Sequence, residues 1–278
     1  MDPITATTMM AACISPEDLY AEMRKFPGPQ VIDVRRAEPY AAAATSLPGA
    51  LRRDPDPTSI AAWAGALEPH RDVVVACVYG HNVGETTAAA LAARGLNARY
   101  LAGGIAEWAN LGLPLAPKPT KPSVWVTRER PKVDRVACPW LLRRFVDPDA
   151  RILYVAPADV TAVAAETGGT AFDIPGAPYT HHGENCSFDA FVQRHRPNDP
   201  ALARLATIVR GADTERPDLH PASGGLFASA LGMSALFGND DRATLRHAMV
   251  LYDALYLWCR DAQQEAHRWP PAMPGAAA

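Results

Sequence analysis

Two stretches of this sequence carry residues whose types and spacing could do chemistry. The first runs Cys77-Val78-Tyr79-Gly80-His81-Asn82-Val83-Gly84-Glu85, and the second Thr180-His181-His182-Gly183-Glu184-Asn185-Cys186-Ser187. Cys77 ends the apolar, β-branched run Val73-Val74-Val75-Ala76 and precedes the helix formers Thr86 to Arg94, which stop at Gly95. A cysteine between a strand and a helix start meets free backbone N–H groups and the positive end of the helix. Both favour the thiolate, the form in which cysteine is a nucleophile. The helix end supplies only roughly 0.3–1 kcal/mol, so converging loop amides must supply the rest. The competing reading of Cys77 is a small buried hydrophobe closing a strand.

The second stretch offers imidazole, carboxylate and thiol in one turn, all of them metal ligands. A thiol–imidazole redox pair is another reading. So is a polar loop in which Ser187 caps a helix and Cys186 is simply buried. The spacing matches no zinc signature. Arg128, Arg130, Lys132, Arg135, Arg143 and Arg144 could hold an oxyanion or be surface charge.

The elements that must position these residues fall into two sets. Ser15-Pro16-Glu17-Asp18 opens a helix with Ser15 as its cap. Strands follow at Gln30–Val34, around Cys77 and at 98–101, alternating with helices at 37–44, from Thr58 as cap to Leu67, after the cysteine loop, and around Trp108. That alternation predicts a parallel α/β sheet, whose ligands bind beyond the carboxyl ends of the strands. Cys77 and Arg35 both stand there. The prolines of 114–123 mark a semi-rigid linker. Beyond it, strands at 124–127, 152–155 and 170–174 alternate with helices at 134–145 and 158–167. From Phe188 to Arg260 the pattern is mostly helical, broken near 217–225. In the helix at 243–259, Met249, Leu255 and Trp258 suit a core stripe. Residues 263–278 read as a disordered tail.

At this point two family resemblances are carried by the residues. Asp33-Val34-Arg35, Glu38, Leu47-Pro48-Gly49-Ala50, the cysteine loop and Gly103-Gly104-Ile105-Ala106-Glu107-Trp108 resemble a single-domain rhodanese over residues 13–117. The resemblance implies a sulfurtransferase fold in which Cys77 carries sulfane sulfur as a persulfide and needs no cofactor. Tyr79, Gly80, His81, Asn82 and Val83 would then bind the anion, with Arg35 either contacting substrate or held in a structural ion pair. His81 either donates a proton or faces solvent, and its position favours solvent. Residues 124–262 resemble the C-terminal domain of the chromate-resistance protein B family, through Asp134-Arg135-Val136-Ala137-Cys138-Pro139-Trp140-Leu141, His181-x-Gly183-Glu184-x-Cys186-Ser187-Phe188 and Ile208-Val209-Arg210-Gly211-Ala212-Asp213. That resemblance points to His181, Glu184 and Cys186 as a metal or oxyanion site, of unidentified metal, completed by Asp134, Cys138 or Asp213. One loop gives at most three ligands, and a closed zinc site needs four. The expected fold is therefore an α/β rhodanese-like domain, a linker at 118–123, and a mostly helical α+β domain.

The whole chain narrows the function classes. Its 278 residues suit two domains, and a net charge of -3 gives no footprint for nucleic acid or an anionic membrane. No apolar run is long enough to span a bilayer, and Met1 to Ala12 has no basic start, so a signal peptide is not expected. Five scattered cysteines without a Cys-x-x-Cys pair suggest free thiols in a reducing cytoplasm. Two hypotheses remain: a persulfide carrier coupled to a domain that senses, binds or helps reduce an oxyanion or metal, and a non-enzymatic chromate or metal sensor with a vestigial rhodanese. The partners expected of the first are a sulfane sulfur donor and a thiol acceptor, with chromate or another oxyanion; the oligomeric state is open.

One departure separates the two. Many rhodaneses carry arginine five residues after the cysteine, where this chain has Asn82. An amide donates hydrogen bonds without charge, and thiosulfate is a dianion that charge-assisted bonds would hold better. Thiocyanate formation from thiosulfate is expected to be slow in wild type and to rise in Asn82→Arg; equal rates would show that Asn82 does not limit this donor.

Overall fold

The computed structural model describes residues 11–118 and 122–264. Residues 119–121 of the expected linker and all of the expected tail beyond Gln264 lie outside them. The chain divides into two compact units, Met1–Ser123 with Leu142–Arg151, and Val124–Leu141 with Ile152–Ala278.

In the first unit the chain runs β1 (Ala12–Ile14), α1 (Pro16–Met23), β2 (Gln30–Asp33), α2 (Ala37–Ala42), β3 (Thr45–Ser46), β4 (Leu51–Arg52), α3 (Pro57–Ala64), β5 (Val73–Ala76), α4 (Val83–Ala92), β6 (Ala98–Leu101), α5 (Gly104–Asn110) and β7 (Ala116–Pro117). Five strands form one sheet in the order β1-β6-β5-β2-β4, every pair parallel. β5 lies in the middle and all four of its residues are buried. A parallel sheet covered on both faces buries every strand position, which is why β5 reads as an unbroken apolar run.

Side chains alternate across the strand. Val73, Val75 and Cys77 pack with Ile60, Ala88 and Leu91 of α3 and α4; Val74 and Ala76 pack with Leu19, Leu101, Ile105 and Trp108 on the other face. The thiol is thus on the side of the helix that follows it. Ser15 caps α1 as expected, its hydroxyl accepting from the Asp18 N–H. α3 corrects one expectation: its cap is Asp56, whose carboxylate accepts from the Thr58 N–H, because Pro57 occupies the first helical position and displaces the cap to the residue before it.

The second unit contains β8 (Val124–Arg128), α6 (Val133–Phe145), β9 (Arg151–Val155), α7 (Val160–Thr167), β10 (Thr170–Ala171), α8 (Ser187–His195), α9 (Pro200–Asp213), α10 (Ser223–Phe237) and α11 (Asp241–Leu257). The three strands form a small sheet in the order β10-β8-β9. Val124 and Val126 pack on Val160 and Ala164 of α7. Trp125, between them in sequence, meets Phe172, Tyr179 and Phe191 instead. β10 is shorter than the strand expected over 170–174, because Asp173 turns the backbone at φ 54°. In α11 the buried stripe is Leu245, Met249, Tyr252 and Tyr256; Leu255 and Trp258, expected in it, are half-buried. No helix among the described residues is long and apolar enough to cross a membrane.

Gly80 and Gly104 touch backbone to backbone. A Cβ on Gly80 would lie 2.5 Å from the Leu101 carbonyl oxygen and 2.6 Å from the Gly103 nitrogen, and both glycines have positive φ. Gly95 also has positive φ but open space around it. Gly95→Ala should therefore cost about 1–2 kcal/mol for the left-handed backbone, and Gly80→Ala about 1–3 kcal/mol more for the overlap. Urea unfolding of the full chain would compare them; equal losses would mean the loop yields to the extra carbon.

Candidate functional site

The Cys77 loop is built by its neighbours. The N–H groups of Ile105 and Ala106, in the first turn of α5, donate to the carbonyl oxygens of Cys77 and Val78 at 2.9 and 3.0 Å. The Gly80 N–H donates to Cys77 Sγ at 3.2 Å, and the thiol in turn donates to the His81 carbonyl at 3.5 Å. Gly84 packs against the thiol closely enough that a Cβ there would sit 3.3 Å from the sulfur. Cys77 itself is 6% exposed, whereas Tyr79 is 66% exposed, His81 and Asn82 are exposed and Val83 is half-buried. Asn82 has φ 37° and its side chain makes no cap for α4. Arg35 is buried and taken up within the sheet: its Nε and Nη2 grip Asp33 at 3.0 and 2.6 Å, and Nη2 also donates to the Thr45 carbonyl. Of its two readings, the structure has the ion pair.

The second unit brings together residues far apart in sequence. Asp134, 3% exposed, stands in the first turn of α6; Asp213 is the last residue of α9; Cys186 precedes α8; Asp173 follows β10. His181 Nε2 lies 3.3 Å from Asp134 Oδ2, 3.4 Å from Asp173 Oδ1 and 3.2 Å from Asp213 Oδ2. Two overlapping groups have ligand atoms within 4.8 Å of one another: Asp134, Asp173 and His181, and Asp134, Cys186 and Asp213. The Ser187 N–H donates to Asp134 Oδ2, and the Ser187 hydroxyl to Asp173 Oδ1. Asp134's own N–H points to Asp213 Oδ1 at 3.4 Å.

Glu184 corrects the expected ligand set. His182 and Asn185 exchange backbone hydrogen bonds of 3.0 and 3.1 Å, so Gly183 and Glu184 form the tip of a tight hairpin. The turn that Gly183 permits carries Glu184 into solvent, outside both groups. Asp173, not among the expected ligands, joins the cluster instead; its one sign in the sequence is a carboxylate inside the apolar run Ala171-Phe172-Asp173-Ile174. Cys138, one turn beyond Asp134, is fully buried beneath the cluster and is in neither group. Arg128 Nη2 and Arg135 Nε neutralise Asp173 at 2.6 and 3.3 Å, so they hold a carboxylate rather than an oxyanion.

Burial raises the Asp134 carboxyl above its ordinary pKa, against a lowering by the His181 hydrogen bond. Burial, then the charge of Asp134, raises Asp173. His181, hydrogen-bonded first to Asp134 and then to Asp213, is pushed up to about 10. Burial and the nearby carboxylates lift the Cys138 and Cys186 thiols well above the usual range. The cluster therefore demands positive charge, and His181 as a cation supplies it. An oxyanion would meet three carboxylates. A divalent metal meets a suitable donor set, since ligands about 2.0–2.3 Å from one ion stand no more than about 4.6 Å apart.

The metal-free protein should show this charge balance. A folded state that holds protons more tightly than the unfolded chain loses stability as pH rises. His181's contribution is complete below about pH 6.5 and is lost as pH rises through about 10; raised Asp134 and Asp173 act in the same direction at lower pH. Thermal melts of wild type and His181→Ala should converge between these pH values, and a constant gap would show that the imidazole holds no extra proton.

Comparison with known proteins follows the same division. A family model described as the C-terminal domain of ChrB matches residues 125–259, and one described as a rhodanese-like domain matches residues 15–111. Protein ChrB of Cupriavidus metallidurans is 37% identical over 134 residues, 48% of this chain, and the chain spans 39% of that relative's length. Similar solved structures include a rhodanese-related protein from Thermoplasma volcanium, 25% identical with a TM-score of 0.33, matched over 38% of this chain and 97% of its own. A rhodanese-like domain protein from Staphylococcus aureus is 22% identical with a TM-score of 0.33, over 39% of this chain and 99% of its own. The two family models match in order along one sequence, so the chain is similar to a rhodanese-like domain over residues 15–111 and to the C-terminal domain of ChrB over residues 125–259.

Proposed function

We propose that this protein serves chromate resistance through two chemistries: sulfur transfer at Cys77 and divalent transition-metal binding at the Asp134–His181–Cys186 cluster. In the first, the Cys77 thiolate attacks the outer sulfur of a donor persulfide. A Cys77 S–S bond forms, the donor S–S bond breaks, and the donor leaves as a thiolate. An acceptor thiolate then takes the outer sulfur and returns Cys77 to its starting state, with no net oxidation. The Gly80 amide, aimed at the sulfur, supports this reading. All five cysteines are free, which fits a reducing cytoplasm.

The observation that carries the metal reading is His181 Nε2 among three carboxylates with Cys186 alongside. Carboxylate oxygens with a thiolate suit a borderline first-row ion better than magnesium or calcium. Asp134, Asp213 and Cys186 would hold it, with His181 hydrogen-bonded beside the two carboxylates and Asp173 answered by its arginines. Asn82 in the loop favours a second reading, a metal sensor in which Cys77 is idle; the Asn82→Arg comparison separates the two.

Cobalt(II) titration of the full chain tests the metal site. A thiolate-to-cobalt absorption band is expected in wild type, Glu184→Ala and Cys77→Ser, and is expected to vanish in Cys186→Ser. Affinity should climb with pH, because Cys186 must lose its proton to ligate and the His181 cation beside the carboxylates loses its charge. Wild-type binding in Cys186→Ser and His181→Ala would make the cluster purely structural.

A further inference from the structure

α10 has no charged residue among its 15 positions, and its only polar side chains are three serines. Two of these, Ser223 and Ser234, are buried with Leu226 and Ala230 on its inner side. The Ser223 hydroxyl donates to the Ile208 carbonyl of α9 at 3.1 Å, and Phe237 stacks on His247 of α11 with ring centres 4.7 Å apart. Both ends of the helix are thus fixed. Its outer side is nevertheless open and apolar: Phe227, Ala228, Leu231, Ala235 and Leu236 are exposed, Leu236 by 76%. On α11, Val250, one turn beyond His247, is exposed too. A helix that is apolar all round belongs in an interior, and a contiguous apolar patch marks an interaction surface. We propose that this face is where a second copy of the same chain docks, about a two-fold axis.

The shape of the face is self-complementary. Residues four apart stack in one row along a helix. Gly224, Ala228 and Gly232 form such a row, and Phe227, Leu231 and Ala235 form the row beside it. A Cβ at Gly224 or Gly232 would meet nothing within 4 Å, so the first row is an open groove and the second a ridge. A two-fold axis running along the helices brings opposite flanks of the two faces together. Each ridge then enters the other's groove, with Phe227 between the partner's Gly224 and the partner's Ala228. Leu231 enters between the partner's Ala228 and the partner's Gly232. Such a contact is isologous and closes on itself, so it makes dimers and not fibres.

Charge and area narrow the occupant. A nucleic acid or a charged peptide laid on α10 would lose the hydration of its ions and find no counter-ion on the helix. An equally neutral surface loses nothing, and a second copy supplies one of matching relief. The 15 residues of α10 rise about 22 Å. With the neighbouring apolar surface of α11, a two-fold contact of that length buries on the order of 1,000 Å² in total, the low end of specific interfaces. The dimer should therefore be reversible and form at micromolar protein.

Sedimentation equilibrium of the full chain across the micromolar range tests the assignment. Wild type and the control Arg94→Gln, exposed in the first unit, should show the same monomer–dimer equilibrium. Leu231→Glu should raise the dimer dissociation constant about tenfold or more, because it leaves a carboxylate enclosed without a partner, with circular dichroism unchanged. Gly232→Leu is the sharper variant. It has open space in the monomer and adds apolar surface, yet it fills the groove and should also weaken the dimer. A Gly232→Leu dimer tighter than wild type would mean unspecific apolar adhesion and would overturn the proposal. So would a wild-type chain that stays monomeric, or equal association in wild type and both variants. A monomeric wild type that co-sediments with phosphatidylcholine–phosphatidylglycerol vesicles, when Leu231→Glu does not, would give the face to a membrane surface instead.

Discussion

The second domain depends on one buried carboxylate. Removing an ionised side chain from water costs several kcal/mol unless partners replace the solvent, and Asp134 is almost fully enclosed. Two elements meet that cost and a third adds to it. The N-terminal amide of α8 donates to its oxygen and the imidazole of His181 approaches from the hairpin, while α9 ends so that Asp213, a second carboxylate, faces both. Asp173, its neighbour, is answered by two arginines and a hydroxyl. The arrangement is balanced while His181 is charged, and under the proposed metal binding a proton and a metal would compete for this cluster.

The first domain solves a different problem. A cysteine in a loop meets as many carbonyls as amides. Here the start of α5 takes up the carbonyls of Cys77 and Val78, while the sulfur keeps the Gly80 amide as a donor and the His81 carbonyl, at 3.5 Å, as an acceptor. The approach of α5 is close enough that side chains at Gly80 and Gly104 would collide with backbone. Two glycines some two dozen residues apart are thus one structural device.

Much of this was readable in the sequence, for reasons that differ by domain. The parallel sheet followed from apolar runs alternating with helix formers, and Cys77 was found because strand, cysteine, glycine and helix start are contiguous. The acid cluster was only half readable. The chemistry of one loop marks His181, Glu184 and Cys186, while Asp134 and Asp213 enter only through the family resemblance; the backbone pairing at the hairpin then takes Glu184 out of the set. Asp173 was missed because its run looked like an ordinary strand, whereas a left-handed residue ends the strand early.

The hairpin between His181 and Cys186 has a consequence for variation within such domains. The paired backbones of His182 and Asn185 act as a clamp, with His181 immediately before it and Cys186 immediately after. Whatever happens at the two-residue tip is insulated from the distance between imidazole and thiol. Drift at Glu184 is then free, provided the tip still turns, while a single inserted residue between Asn185 and Cys186 would rotate the thiol out of the cluster. Relatives sharing this chemistry should be recognised by a fixed interval from histidine to cysteine, not by the acid between them.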